Sequence, residues 1–159
     1  YYTENQGRLA QVLSDLSLIA NLTLAFSRVT IDEGDFGAAN LTSTERPLTN
    51  QAPWVINLAL DYDDEDIGTS ARILYNVVGK RIVTVGQAPL PDIYEQPRHV
   101  IDLVVAQRLF EGFRIQGSIK NLIDAEHLFT FGADDQGEET LQRGYREGIT
   151  FTLGAGYSL

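Results

Sequence analysis

The 159 residues suit one domain, with enough chain to bury a core if it folds as a globule. The 12 basic and 22 acidic side chains give a formal charge of -10, which argues against a nucleic-acid partner because phosphates repel such a surface. Cysteine is absent, so disulfide scaffolds and thiolate metal sites are excluded.

No run of about eighteen apolar residues is present, so no membrane helix is expected, and no secretory leader is expected at Tyr1. Residues 1–15 are set apart as a junction, in which GRLAQVLSDL reads as one or two amphipathic helical turns. From Leu16 onward the period is two. In LSLIANLTLAF, Leu16, Leu18, Ala20, Leu22, Leu24 and Phe26 share a face opposite Ser17, Asn21, Thr23 and Ser27. In WVINLALDY, Trp54, Ile56, Leu58, Leu60 and Tyr62 oppose Val55, Asn57, Ala59 and Asp61. In ARILYNVVGK, Ala71, Ile73, Tyr75 and Val77 oppose Arg72, Leu74, Asn76 and Val78. VIDLVVAQRL sets Ile101, Leu103, Val105 and Leu109 against Asp102, Ala106 and Arg108. FRIQGSIK sets Phe113, Ile115, Gly117 and Ile119 against Arg114, Gln116, Ser118 and Lys120. In the last segment Ile149, Phe151, Leu153, Ala155, Tyr157 and Leu159 alternate with Thr150, Thr152, Gly154, Gly156 and Ser158.

The connections between these six segments alternate long, short, long, short, long. The links DDEDIGTS and FEG are short, whereas residues 32–52, 86–97 and 124–144 read as long polar loops. In an up-and-down meander all the long loops then lie at one end, which is the layout of an outer-membrane β-barrel. The segments reach the 9–11 residues that a tilted strand needs to cross a bilayer, whereas strands of soluble proteins average about 5–6. The expected fold is therefore all-β, an antiparallel up-and-down meander of about six long strands forming part of a transmembrane barrel. The polar faces then look into the lumen. They carry Asn57, Asp61, Arg72, Asn76, Lys80, Asp102, Arg108, Arg114, Gln116 and Lys120, mixed in sign as a wet interior requires. Aromatics near strand ends (Phe26, Trp54, Tyr62, Phe113, Tyr157) fit the interfacial girdles.

No catalytic, metal or cofactor site is expected. DYDDEDIG lacks the spacing of a calcium-binding EF-hand loop and reads as a solvated turn, and ADDQGEE reads as an outer loop. His99 and His127 have no neighbouring ligand set in the sequence, and no nucleophile elbow is present.

Several stretches resemble the C-terminal end of the barrel of TonB-dependent outer-membrane transporters. They are ERPLTNQAPWVINLALDY, ILYNVVGKRI, PDIYEQPRHVIDLVVAQRL, the segment IKNLIDAEHLF one strand before the end, and YREGITFTLGAGYSL. The resemblance covers residues 16–159. It implies a barrel of 22 strands, of which this chain holds the last six, with the rest of the barrel and a plug supplied elsewhere. It further implies import of a scarce large solute of the siderophore, cobalamin or oligosaccharide class across the outer membrane of a Gram-negative bacterium. Energy would come from the TonB-ExbB-ExbD complex, and outer-membrane lipid and lipopolysaccharide would surround the wall. Phe151, Leu153, Tyr157 and Leu159 would form the signal read by the barrel-assembly machinery, with Leu159 where the family usually ends in phenylalanine. The alternative is a structural or interaction barrel, porin-like or secretion-associated, without active import.

Overall fold

Alternating β-branched, aromatic and polar residues give strands throughout. The structure, a computed structural model, describes residues 10, 12–32, 34, 40–134 and 136–158. Of the amphipathic stretch near the start, residues 12–14 are helical, while residues 7–9 and 11 lie outside those described, as does the rest of the junction before residue 10. The strands are β1 (Leu16–Leu24), β2 (Val29–Thr30), β3 (Glu45–Arg46), β4 (Trp54–Asp64), β5 (Thr69–Val78), β6 (Arg81–Thr84), β7 (Ile93–Glu95), β8 (Arg98–Phe110), β9 (Phe113–Lys120), β10 (Glu126–Phe131), β11 (Leu141–Arg146) and β12 (Thr150–Tyr157).

The six alternating segments become one antiparallel sheet in the order β1-β4-β5-β8-β9-β12. Its register joins like with like. One row runs Leu18, Leu60, Ile73, Leu103, Ile119, Phe151 across all six strands. The adjacent row on the other side runs Ser17, Asp61, Arg72, Val104, Ser118, Thr152. A slip of one residue in any strand would put polar groups into the apolar face, so the pattern itself fixes the register. The sheet does not close, and β1 and β12 are its two edges.

The long connections depart from the loop reading. Residues 86–97 contain β7, residues 124–144 contain β10 and the start of β11, and residues 32–52 contain β3. With β6 they build a second sheet in the order β11-β10-β7-β6, while β2 and β3 pair separately. These strands escape a periodicity search because each holds six residues or fewer, too few to separate a period of two from chance. They stand at the end where the long connections lie, and there the packing is densest. Among the described residues the buried apolar side chains are Val77, Ile82, Ala106 and Phe129, two of them in the second sheet.

The segment NLID forms the corner between β9 and β10. Asn121 adopts the left-handed conformation (φ 55°), which asparagine tolerates better than most residues. Its amide nitrogen donates to the Gly148 carbonyl (2.9 Å), its amide oxygen accepts from the Ala125 N–H (2.8 Å), and its own N–H donates to the Asp102 carboxylate (2.8 Å). The corner thus ties β8, β10 and the entry to β12 together through a buried asparagine.

Among the described residues none forms a second layer over the apolar side of the main sheet. Leu18 (71%), Phe151 (72%) and Leu153 (83%) are exposed, as are Leu22, Leu24 and Leu60. The chain exposes 11446 Å², whereas a compact monomer of its mass would expose about 7,900 Å² by the usual scaling of surface with mass.

At the opposite end the turns are tight. Gly112, between β8 and β9, has φ +76°, and a Cβ there would lie 2.4 Å from the Ser158 carbonyl oxygen. The Gly112 carbonyl also accepts the Ser158 N–H at 2.8 Å. Gly117, in mid-strand, has nothing within 4 Å of its Cβ position. Gly112→Ala is therefore expected to destabilise the sheet by about 2 kcal/mol or more through backbone strain and contact, while Gly117→Ala leaves stability within about 0.5 kcal/mol or raises it slightly. Thermal unfolding midpoints of the two variants check the contrast.

Candidate functional site

By register, Asn57, Asp61, Arg72, Asn76, Asp102, Arg108, Arg114, Gln116 and Lys120 lie on the polar face of the main sheet. Lys80 does not, because β5 ends at Val78; its ammonium pairs with Glu139 and lies 4.4 Å from the Tyr94 ring centroid. On the face itself Arg72 forks onto Asp61, with Nη2 donating to Oδ2 at 2.8 Å. Asn76 donates to the Asn57 amide oxygen at 2.6 Å. Near the tight turns Arg108 stands directly opposite Arg114. Arg108 donates to the Glu65 carbonyl (2.6 Å) and Arg114 to the Ser70 hydroxyl (2.7 Å). These groups are thus largely committed to the sheet and its turns.

A more concentrated arrangement sits where the polar face meets the second sheet. A groove of about 190 Å³ is lined there by Asn76, Arg81, Glu95, Gln96, Arg98 and His127, among others. Strand pairing builds it. Arg81 on β6 faces Glu95 on β7, and Glu95 faces Phe129 on β10, two residues beyond His127. Arg81 donates to Glu95 through both Nε (2.9 Å) and Nη2 (2.6 Å). The other Glu95 oxygen lies 3.2 Å from His127 Nδ1. Arg98 reaches the Glu147 carboxylate at 3.3 Å. His127 Nε2 is also 3.3 Å from Glu147 but lacks the alignment of a hydrogen bond. The His127 ring stacks on Tyr145 (4.6 Å between centroids), and Arg143 lies 4.4 Å from the Phe129 centroid.

These contacts set the charge states. Burial by itself raises the Glu95 carboxyl, but hydrogen bonds from Arg81 and His127 and their charges outweigh it and hold the group below the usual carboxylate range. The hydrogen bond from Lys80 holds Glu139 low in the same way. Glu139 also accepts from Gln96 (2.7 Å) and Thr130 (3.0 Å), so it pins three elements at once.

His127 joins a set that spacing did not reveal, since Glu95 and Glu147 lie far from it in sequence. His99 lies on the apolar face at the end near the long connections, where the Tyr75 hydroxyl meets its Nδ1 at 2.7 Å. The acidic turns use their carboxylates on the backbone. Asp64 accepts from the N–H groups of Asp66 and Ile67 (3.0 and 3.1 Å), and Asp134 from those of Gln136 and Glu138 (2.9 and 3.0 Å). Among the described residues no group of three or more His, Cys, Asp or Glu side chains could hold a metal ion. Phe151, Leu153 and Tyr157 share the exposed apolar face of β12, and Leu159 lies outside the described residues. No described helix is long and apolar enough to cross a membrane, which says nothing about strands.

Comparison of the chain with protein-family models, curated proteins and solved structures returns no match.

Because Glu95 has a folded-state pKa below its unfolded value, its contribution to stability is complete above the ordinary carboxylate range and is lost as pH falls through the depressed folded value. Acid unfolding followed by circular dichroism is expected to include this loss. Glu95→Gln should flatten that limb while lowering stability at neutral pH by roughly 1.5–3 kcal/mol, the scale of hydrogen bonds to a charged group.

Proposed function

We propose that this chain forms the C-terminal part of the barrel wall of a TonB-dependent outer-membrane transporter, with further strands continuing from the β1 and β12 edges. The carrying observation is the apolar face of the six-stranded sheet, unbroken from Leu18 to Phe151 and covered by no other described part of the chain. In water such a face costs about 25 cal/mol for each Å² left exposed. Against lipid it costs nothing.

The dimensions support this. Trp54 and Tyr62 bound the apolar stretch of β4. They are separated by about 27 Å of strand, or roughly 20 Å of height at the usual tilt, close to the apolar band of a membrane barrel. On this face Trp54 and His99 lie toward one end and Tyr62, Phe110, Phe113 and Tyr157 toward the other, while Tyr75 and Phe151 lie between, opposite Leu58 and Ile119. In this reading the tight turns face the periplasm and the second sheet stands outside the membrane. The polar face meets a plug, and the TonB-ExbB-ExbD complex drives import of a large solute through the plug. The choice of a TonB-dependent transporter over a porin-like barrel rests on the sequence resemblance, above all on PDIYEQPRHVIDLVVAQRL and the NLID corner.

Two substitutions one residue apart test the membrane reading. Leu103→Arg puts a cation into the middle of the apolar row at a cost of about 2–4 kcal/mol against lipid, whereas Val104→Arg points at the polar face. Outer-membrane recovery and heat-modifiable electrophoretic mobility are expected to collapse for the first and persist for the second. Equal tolerance of both would remove lipid from that face. Peptide mapping of the detergent-extracted particle is expected to find a plug. Its absence would favour the porin-like alternative.

A further inference from the structure

Two ion pairs flank the His127 ring, one belonging to each sheet. In the second sheet Arg81 on β6 takes Glu95 on β7, and both of its hydrogen bonds go to Oε2. At the main sheet Arg98, which opens β8, takes Glu147 in the turn before β12, again at Oε2 (3.3 Å). Each carboxylate thus keeps its Oε1 free of arginine. Both of these oxygens meet the same ring. Glu95 Oε1 lies 3.2 Å from Nδ1, and Glu147 Oε1 lies 3.3 Å from Nε2.

A carboxylate can only accept, and a neutral imidazole carries a single N–H. The neutral ring can therefore bond Glu95 or Glu147 but not both. Whichever nitrogen lacks the proton sets a lone pair against a carboxylate oxygen. The ring is 13% exposed and its Nε2 is buried without an aligned partner, and an unmatched acceptor is costly in such a place. An imidazolium carries an N–H on both nitrogens and can satisfy both carboxylates at once. Two oxygens left over by two arginines, on the two sides of one ring, form a seat for the doubly protonated histidine.

The other groups around the ring do not compete for it. Tyr145 from β11 stacks on its face at 4.6 Å, and Asn76 and Gln96 in the same groove are neutral. Arg146 is shared by Asp124 and Glu126 (3.5 Å each), and Arg143 lies over the Phe129 ring. Because Arg81 and Arg98 already match Glu95 and Glu147, protonation adds one positive charge, in a chain whose formal charge is -10.

We infer that His127 is a proton-operated clasp between the two sheets. Protonated, it ties Glu95 of the second sheet to Glu147 at the entry to β12. Neutral, it keeps one carboxylate and releases the other, so that residues 147–149 stay with Arg98 and the second sheet loses this hold on the main one. Imidazole changes charge between about pH 5 and 8, where carboxylates stay ionised. The clasp is thus closed toward the acidic end of that range and open toward the alkaline end. Glu95 is held below the usual carboxylate range and remains charged throughout. The inference does not depend on the import reading, since it concerns only how firmly the second sheet is fixed to the first.

The test is hydrogen–deuterium exchange of the complete protein carrying this chain, purified in detergent and read by mass spectrometry across residues 145–150 between about pH 5 and 8. Exchange is corrected for the intrinsic effect of pH on amides. The corrected rate is expected to rise about tenfold toward the alkaline end, the scale of one lost hydrogen bond to a charged group. His127→Gln, neutral at every pH, should exchange fast throughout. Glu147→Gln should exchange slowly throughout, because its amide can donate to the neutral Nε2 and accept from the protonated one. His99→Gln, which alters the other histidine of the chain, should keep the wild-type profile. A flat wild-type profile, a profile that survives in His127→Gln, or one that disappears in His99→Gln would overturn the inference. Where His127→Gln does not fold, a Glu147→Gln protein that still follows the wild-type profile would overturn it equally.

Discussion

A single sheet cannot bury its apolar side against itself. In this chain that constraint governs everything else, because the register that aligns Leu18, Leu60, Ile73, Leu103, Ile119 and Phe151 concentrates the hydrophobic groups on one surface. Soluble β proteins meet the constraint with a second layer. Here the second sheet stands beyond the end of the first, and the described side chains buried at the junction are few. On the proposed reading the cover is a membrane, which accepts such a face on the condition that every strand edge is paired. The open edges at β1 and β12 and the bare apolar face are thus two aspects of one requirement.

The two ends of the sheet meet solvent differently. At one end the chain reverses within a few residues, using left-handed glycines and carboxylates folded onto their own backbone. At the other end the connections are long enough to pair with one another, and ion pairs hold them together. Glu95 and Glu139 each receive several donors, so two carboxylates bind β6, β7, β10 and the connection before β11 into one platform. Chemistry accumulates where the chain is longest, because long connections bring together groups that strands keep apart.

The strands of the main sheet were legible in the sequence because their period of two extends over eight residues or more, and each repeat reinforces the last. The same alternation assigned Asn57, Asp61, Arg72 and Asn76 to one face, and the register agrees. Lys80 was extrapolated one step too far, since a pattern gives no sign of where hydrogen bonding stops. The second sheet was not legible. IYE and RIVT hold too few residues for a period, and EHLFTF has Leu128 on one face and Phe129 and Phe131 on the other.

The sequence by itself determined the class of structure, the register of the main sheet and the sidedness of its residues, since each follows from local alternation that a misalignment would violate over a whole strand. Only the tertiary structure decided what His127, Glu95, Glu147 and Arg98 do together. They come from two long connections and the start of β8, and their meeting depends on pairings between strands far apart in the chain. Alternation specifies which side a residue faces. It carries no information about which distant residue arrives beside it, because that is set by the path of the connections and by the few ion pairs that hold them.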